Sequence, residues 1–178
     1  MVSETAQTGD NHDRAARDLR QGDVRLLDTP VARELLAAAT PAHLAYTARD
    51  GLPRNIPINF HWNGAELVMG AFTGTYKLAA LGAHPTVAIT IATHHRGAKV
   101  LLLRGEVTLT DVDGLLEEYA IAQRRTTGDE ASRGYLASID KPGLRMVRIA
   151  LRPAWVGVLD FSTRVPERTP QLVREALS

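Results

Sequence analysis

Two turn dipeptides that favour β-hairpins lie close together in the sequence, Asp50-Gly51 and Asn63-Gly64. Asn-Gly and Asp-Gly are preferred in two-residue hairpin loops because their central positions take positive φ. The three segments that flank them contain β-branched and aromatic residues in partial alternation with polar ones: residues 42–48, 52–62 and 65–72. Consecutive antiparallel strands joined by tight turns therefore constrain the fold more than any other feature of this chain.

Further strand-like segments follow and complete an antiparallel β pattern. Residues 86–93 and 98–111 are largely apolar, and residues 143–161 form two strands interrupted at Arg152-Pro153. We expect residues 86–93 to be buried on both faces. Pro57 places residues 52–62 at a sheet edge or a bulge, and Gly105 indicates a bulge or bend. About seven strands joined mostly as hairpins predict a closed or nearly closed barrel. A doubly wound parallel sheet would need a helix after every strand.

Short helices are predicted at the connections. Thr29 is a predicted N-cap with Pro30 in the first helical position, and a second helix spans residues 75–82. Asp113 is predicted to cap a third helix, which is followed by a glycine- and charge-rich loop over residues 127–140. A terminal helix follows Thr169. Residues 1–24 lack hydrophobic periodicity, so we predict a mobile N-terminal tail of residues 1–24 and a single domain of residues 25–178.

Composition excludes several classes of function. The 178 residues contain no cysteine, which removes disulfides, thiolate metal sites and thiol nucleophiles. The 21 basic and 20 acidic residues give a net charge of +1, so charge does not indicate a nucleic-acid partner. No apolar run reaches the ~18 residues of a membrane span, and none suits a signal peptide, so we expect a cytoplasmic protein. His94 and His95 are adjacent and would point to opposite faces of a strand, so we predict no metal site.

The segment Thr73-Gly74-Thr75 precedes a helix that carries Lys77 in its first turn. A cation there opposes the helix dipole, whose N-terminal end is already positive, and this is unfavourable unless an anion lies nearby. Hydroxyls, helix N–H groups and a cation are the donors that a phosphate needs, and Gly74 allows close approach of the backbone. Arg54 could complete the set in bidentate form. The pattern therefore favours a phosphate-bearing ligand.

In order and spacing, residues Thr29 to Asp111 resemble the flavin-binding split-barrel proteins of the pyridoxamine 5'-phosphate oxidase-like superfamily. The shared pattern is a helix, strand-Asp-Gly-strand, strand-Asn-Gly-strand, a Thr-x-Lys step opening a helix, and a Pro-x-Val strand eight residues beyond the lysine. The resemblance implies a homodimeric antiparallel split barrel of six to seven strands, with two FMN sites at the subunit interface.

Cofactor-binding residues are implied by the same resemblance. The strand along the isoalloxazine and phosphate comprises Arg54, Asn55, Ile56, Pro57, Ile58 and Asn59, and the next strand passes the cofactor at Gly70 and Ala71. Thr73 and Thr75 supply hydroxyls. The phosphate-binding basic pair of the family corresponds to Tyr76 and Lys77, so this chain has tyrosine where the oxidase has a second basic residue. The residues that bind pyridoxamine phosphate in the oxidase have no counterpart in the C-terminal half.

We therefore expect an FMN-binding oxidoreductase that transfers hydride or electrons at flavin N5 to an unidentified small substrate. No side chain is assigned as a covalent or other catalyst, because the cofactor supplies the reactivity. One alternative is a reductase that uses the deazaflavin coenzyme. A second is a non-catalytic protein that binds or stores flavin or heme, because fold alone does not determine function. A third is an empty dimeric barrel with an interaction role.

Overall fold

The computed structural model describes residues 19–93, 98–161 and 169–177. Within them, eight strands carry most of the fold: β1 Ala42–Thr47, β2 Pro53–Ile58, β3 Phe60–Trp62, β4 Leu67–Phe72, β5 Thr86–Ala92, β6 Lys99–Asp113, β7 Arg145–Leu151 and β8 Trp155–Asp160. A 3-10 turn at Val24–Asp28 precedes five helices: α1 Pro30–Ala37, α2 Tyr76–Ala83, α3 Glu117–Thr127, α4 Asp129–Ile139 and α5 Gln171–Leu177. Every strand pairing is antiparallel.

The long strand β6 joins the two halves of the sheet. Its first half pairs with β5 and β8, and its second half pairs with β7. Strand β8 continues the line of β7 along β6, with Leu151 opposite Val107 and Trp155 opposite Arg104. The two strands are interrupted between Leu151 and Trp155, as the sequence predicts for Arg152-Pro153. The order along the sheet is β2-β1-β5-β6-β7-β4-β3.

The two ends of this strand order are adjacent in the chain. Only Asn59 separates β2 from β3, yet β2 pairs with β1 and β3 pairs with β4. The chain therefore bends at Asn59 and the sheet curls on itself, which confirms a mainly β split barrel with short helices. The prediction of one continuous strand over residues 52–62 is wrong at this bend. The edge position predicted from Pro57 is confirmed, because β2 has β1 as its only partner among the described strands.

The inward face of the barrel forms the hydrophobic core. Strand β5 contributes Val87, Ile89 and Ile91, and α2 contributes Leu81. Fully burying an aliphatic side chain of this size contributes about 1.5–3 kcal/mol, so the alternation along β5 fixes which face is inside. The opposite face of β5, including Thr90, is only partly buried, so the prediction that residues 86–93 are buried on both faces is not met in the single chain.

Two corrections concern the region after β6. Strand β6 remains paired with β7 as far as Asp113, so Asp113 does not cap a helix and α3 begins at Glu117 instead. The predicted loop over residues 127–140 is the helix α4, which Gly128 separates from α3 at φ 87°. Leu136 of α4 is buried. The pattern suggested a loop because most residues of α4 are exposed and polar, while the helix is stabilised by packing on α3.

The N-terminal boundary stays a prediction, because residues 1–18 lie outside the described part of the chain. Within the described part, the Gln21 side-chain amide donates to the Val158 carbonyl and accepts from its N–H group. The Gly22 N–H group donates to the Val156 carbonyl at 2.7 Å. These bonds attach residues 21–22 to the free edge of β8. Among the described helices, none has the length and apolarity that crossing a membrane requires.

Candidate anion-binding turn

A short, well-anchored turn connects β4 to α2. Gly74 has φ 84°, a conformation that favours glycine. The backbone N–H and the hydroxyl of Thr73 both donate to the carbonyl of Arg145 on β7, at 3.3 and 2.9 Å. The turn is therefore held against the sheet at its first residue, and the next residues begin α2. This arrangement gives Thr75 and Lys77 defined positions.

Thr75 occupies the N-cap position of α2 but does not cap the helix with its side chain. Its Oγ1 atom is buried and has no hydrogen-bond partner among the described residues. Buried hydroxyls in folded proteins are nearly always hydrogen-bonded, and the first N–H groups of a helix have no intrahelical acceptor. The Thr75 hydroxyl and the first N–H groups of α2 are therefore hydrogen-bond donors that have no acceptor among the described residues, and an anion would supply one.

Lys77 lies in the first turn of α2 and is partly buried. No carboxylate of the described residues forms an ion pair with its ammonium group, and desolvation lowers its pKa below the usual value. The positive end of the helix dipole adds to this cost. Within the described part of the chain, neither the ammonium group nor the nearby Thr75 hydroxyl therefore has a partner that would stabilise it.

Tyr76 precedes Lys77 and is the most exposed large side chain of the turn. Its side chain is 96% exposed, and no ring contact or hydrogen bond of it is seen with the described residues. A phenol is not a basic group, so it supplies no positive charge where the oxidase has a second basic residue. Its assignment as a cofactor-binding residue stays a prediction.

The strand register places Arg54 level with the start of β5, which follows the C-terminal end of α2. Arg54 is opposite Tyr46 on β1, Tyr46 is also opposite Val87 on β5, and α2 packs against β1. Its guanidinium, however, is bound to Asp50 of the hairpin turn at 2.7 Å. In the single chain the guanidinium is thus engaged by Asp50, and a role for Arg54 beside a cofactor stays a prediction.

The rest of β2 alternates as the sequence predicts. Ile58 is buried and Ile56 packs against the core, while Asn55 and Pro57 are exposed on the opposite face. Asn59, at the bend, donates from its side-chain amide to Gln123 Oε1 of α3 at 2.9 Å, so its amide is already engaged.

Gly70 and Ala71 do not join the turn in the single chain. A Cβ atom on Gly70 would lie 2.8 Å from Cδ2 of Tyr119, so the Tyr119 ring covers this glycine. Burial and the hydroxyl of Tyr135, 2.8 Å away, raise the pKa of Tyr119 well above its usual range. Ala71 is 3% exposed and belongs to the core. Their role beside a cofactor stays a prediction.

Two features of this region were not identified from the sequence. The first is the ion pair between the Asp50 carboxylate and the Arg54 guanidinium, because the sequence pattern indicated only a turn at Asp50. The spacing of four residues across a tight turn is the signal that could have indicated this pair. The second is Arg125 of α3, which donates to the carbonyls of Leu36 and Phe60 and has its guanidinium 4.3 Å from the Phe60 ring centroid. No local pattern indicates these contacts.

His94 and His95 lie outside the described residues, so the prediction about metal binding there remains a prediction. Among the residues that the structure describes, no group of three or more histidine, aspartate or glutamate side chains is arranged to hold a metal ion.

Comparison with known proteins shows the fold. No protein-family model and no curated protein matches the sequence. An F420 reductase structure is 25% identical, with a TM-score of 0.54 over 70% of this chain and 94% of that chain. A conserved hypothetical protein from Mycobacterium tuberculosis is 13% identical, with a TM-score of 0.59 over 80% and 87% of the two chains. A heme storage protein from Vibrio cholerae is 16% identical, with a TM-score of 0.52 over 74% and 92%. The split-barrel resemblance seen in the sequence is thus confirmed at the level of the fold.

Proposed function

We propose that this chain binds a flavin-type coenzyme, either FMN or its deazaflavin counterpart, and acts as an oxidoreductase on a small substrate. The observation that carries the proposal is the buried Oγ1 of Thr75 in the same helical turn as the Lys77 ammonium, neither of which has a partner within residues 19–93, 98–161 and 169–177. The residues present fit the phosphate of such a coenzyme, because they offer a hydroxyl, helix N–H groups and a cation without an acceptor of their own.

Each residue of the turn has a definite part in holding the coenzyme. Thr75 would donate its hydroxyl to a phosphate oxygen, and Lys77 would neutralise negative charge in a partly desolvated position. Thr73 holds the turn on β7 through Arg145, and its predicted contact with the cofactor stays a prediction. The bound coenzyme would supply hydride transfer, and the protein would supply position and exclude water.

The likeness to the F420 reductase favours the deazaflavin coenzyme over FMN. That structure is 25% identical and nearly its whole length, 94%, is covered by this chain. The heme storage protein shares the fold at lower identity, and no feature of the described residues favours heme over a phosphate-bearing ligand. Heme uptake is therefore an outcome of the test below rather than a second proposal.

We further propose that two copies associate through the outer face of the sheet formed by β1, β5 and β6. The centre of this face presents small or uncharged side chains that are only partly buried, including Ala45, Ala88, Thr90 and Leu102, while the exposed residues His43, Arg104 and Glu106 also lie on it. Asn55 of the predicted cofactor strand lies on the same face, paired with Ala45. Covering this face with a second copy would place the coenzyme between subunits. Sedimentation of the purified protein as a monomer at micromolar concentration would contradict this arrangement.

The decisive experiment is an absorption spectrum of the purified protein followed by titration with FMN, deazaflavin coenzyme and heme. Saturable binding of FMN or the deazaflavin, followed by reduction with a nicotinamide donor and reoxidation by an acceptor, is the expected result. Binding without any electron exchange would support a storage role instead. Uptake of heme alone, or of none of the three, would remove the proposal.

Thr75→Val tests the site directly. The change removes the hydroxyl but keeps the shape, so coenzyme affinity should fall by about 10- to 150-fold, as expected for a hydrogen bond to a charged group worth about 1.5–3 kcal/mol. The apo protein should keep its stability or gain some, because the hydroxyl is unpaired there. Thr110→Val on the exposed side of β6 is the matched control and should leave affinity unchanged.

A further inference from the structure

Helices α3 and α4 border a groove that is separate from the turn between β4 and α2. Gly128 joins the two helices, and the hydroxyls of Tyr119 and Tyr135 lie 2.8 Å apart between them. The groove is lined by residues of both helices and by Leu115, which precedes α3, and its volume is about 370 Å³. Small-molecule sites in proteins have volumes of about 300–1,000 Å³. This α3–α4 groove is therefore large enough for a small ligand.

The α4 side of the groove has charged residues on either side of an apolar centre. In chain order, the residues of this side are Asp129, Arg133, Leu136, Ala137 and Asp140. Their spacings of four, three and one residues place them along one face of the helix. Leu136 is buried and forms the apolar floor, whereas the three charged side chains are exposed.

The charges of the groove are arranged by sign along its length. Arg124 lies in the last turn of α3, four residues before Gly128, so it is close to the start of α4. The end of the groove near Gly128 thus has two guanidiniums, of Arg124 and Arg133, and one carboxylate, of Asp129. Asp140 lies seven residues beyond Arg133, or about 10 Å along the helix at 1.5 Å per residue. One end is therefore net positive and the other is negative.

None of these four charged side chains forms an ion pair within residues 19–93, 98–161 and 169–177. Asp129 and Arg133 have the spacing of four residues that favours pairing on a helix, yet they are not paired. An exposed charge is stable in water, so the lack of a partner alone does not indicate a ligand. The order of the charges around one cavity with an apolar floor does.

We propose that the α3–α4 groove binds a small zwitterion whose carboxylate and ammonium groups are separated by an apolar chain, as in an ω-amino carboxylic acid. Arg124 and Arg133 bind the carboxylate, because the planar guanidinium fork matches its two oxygens. Leu115 and Leu136 contact the chain, and Asp140 accepts hydrogen bonds from the ammonium group. A dicarboxylate would place an anion beside Asp140, and a diamine would place a cation between two guanidiniums. The charge order therefore favours the zwitterion over both.

Calorimetric titration of the full-length protein with 8-aminooctanoate, octanoate and octylamine tests this charge order. The three probes have the same chain length and differ only in their charged ends. At pH 7, 8-aminooctanoate should bind saturably and about two- to tenfold more tightly than either of the other probes, which is the range for one additional hydrogen-bonded contact. If octanoate or octylamine binds as tightly, or if no probe gives saturable binding, the proposal is overturned.

Two substitutions identify the two ends. Asp140→Asn should weaken binding of 8-aminooctanoate and octylamine by about two- to tenfold and leave octanoate unchanged. Arg133→Gln should weaken 8-aminooctanoate and octanoate to a similar extent and leave octylamine unchanged. Arg49→Gln is the matched control, because Arg49 is exposed in the turn after β1 and has no ion pair with any described residue. This variant should bind all three probes as the wild type does.

The pattern across the probes separates charge recognition from a loss of structure. A substitution that merely distorts the helices would weaken all three probes together. That result, or unchanged binding of 8-aminooctanoate in both groove variants, would overturn the proposal. The proposal does not rest on coenzyme binding, so titration with FMN or the deazaflavin coenzyme tests the proposed function separately.

Discussion

Replacing Lys77 with methionine should change coenzyme binding and apo stability in opposite directions. Methionine keeps an unbranched side chain of similar length and removes the charge. In the apo protein Lys77 is partly buried, lies at the positive end of α2 and has no acidic partner among the described residues. In the complex the same charge would contact a phosphate. The two states therefore respond differently to the loss of one ammonium group.

The magnitudes follow from the two environments. A charge-assisted hydrogen bond contributes about 1.5–3 kcal/mol, so coenzyme affinity should fall by about 10- to 150-fold. An unfavourable charge in the first turn of a helix costs about 0.3–1 kcal/mol, so the free energy of unfolding of the apo variant should rise by that amount. The melting temperature of a domain of this size should then rise by about 1–4 °C.

Urea denaturation of the apo proteins and fluorescence titration with coenzyme measure the two effects separately. Lys141→Met is the matched control, because Lys141 is exposed in the turn after α4 and has no ion pair with any described residue. That variant should match the wild-type protein in both assays. A Lys77→Met protein that loses apo stability, or that binds coenzyme as well as the wild type, would refute the reasoning.

Alkaline pH provides a second measurement of the same group. Desolvation lowers the pKa of Lys77 in the folded state below its ordinary value of 10.5. Between the two values the unfolded chain binds more protons than the folded one, so the free energy of unfolding of the apo protein gains a positive contribution as pH rises. This contribution should be absent from Lys77→Met, and it should shrink when coenzyme is bound, because a nearby anion raises the pKa again.

The other predictions concern the packing of α3 and α4. Gly70→Ala places a Cβ 2.8 Å from Tyr119 and should reduce the free energy of unfolding by about 1–3 kcal/mol. A Cβ at Gly134 of α4 would have nothing within 4 Å, so Gly134→Ala should raise the free energy of unfolding by about 0.5–1 kcal/mol. Urea unfolding measures both changes. Arg148→Met removes the partner of the Glu118 carboxylate, leaves Glu66 with only the 3.9 Å contact to Arg152, and should cost about 1–3 kcal/mol at pH 7. Arg148 lowers the pKa of Glu66 below 4.5, so the wild type should lose this contribution as pH falls below that value, and the variant should show a weaker acid dependence.

The elements predicted correctly are those whose signals lie within a few residues. The Asp50-Gly51 and Asn63-Gly64 turns join β1 to β2 and β3 to β4 as expected. Thr29 caps α1, with its hydroxyl accepting from the Ala32 N–H. Turns and caps depend on the conformational preferences of residues that are adjacent in the chain, so the local sequence predicts them.

The errors lie where distant segments meet. The bend at Asn59 moves the chain from β1 to β4 and is held by Gln123, 64 residues away. Helix α4 is stable because it packs on α3, although its composition resembles a loop. No local sequence pattern predicts the bend or the helix, because the bend depends on its contact with Gln123 and α4 depends on its packing against α3.

The sequence by itself determined the hairpins, the helix cap at Thr29 and the set of donors between Thr73 and Lys77, because these follow from residues adjacent in the chain. Only the tertiary structure decided that Arg54 is bound to Asp50, that Tyr119 covers Gly70, and that the Thr75 hydroxyl is buried with no partner in the described ranges. Burial and charge pairing are properties of surfaces brought together by folding. They depend on three-dimensional neighbours that a linear pattern does not contain.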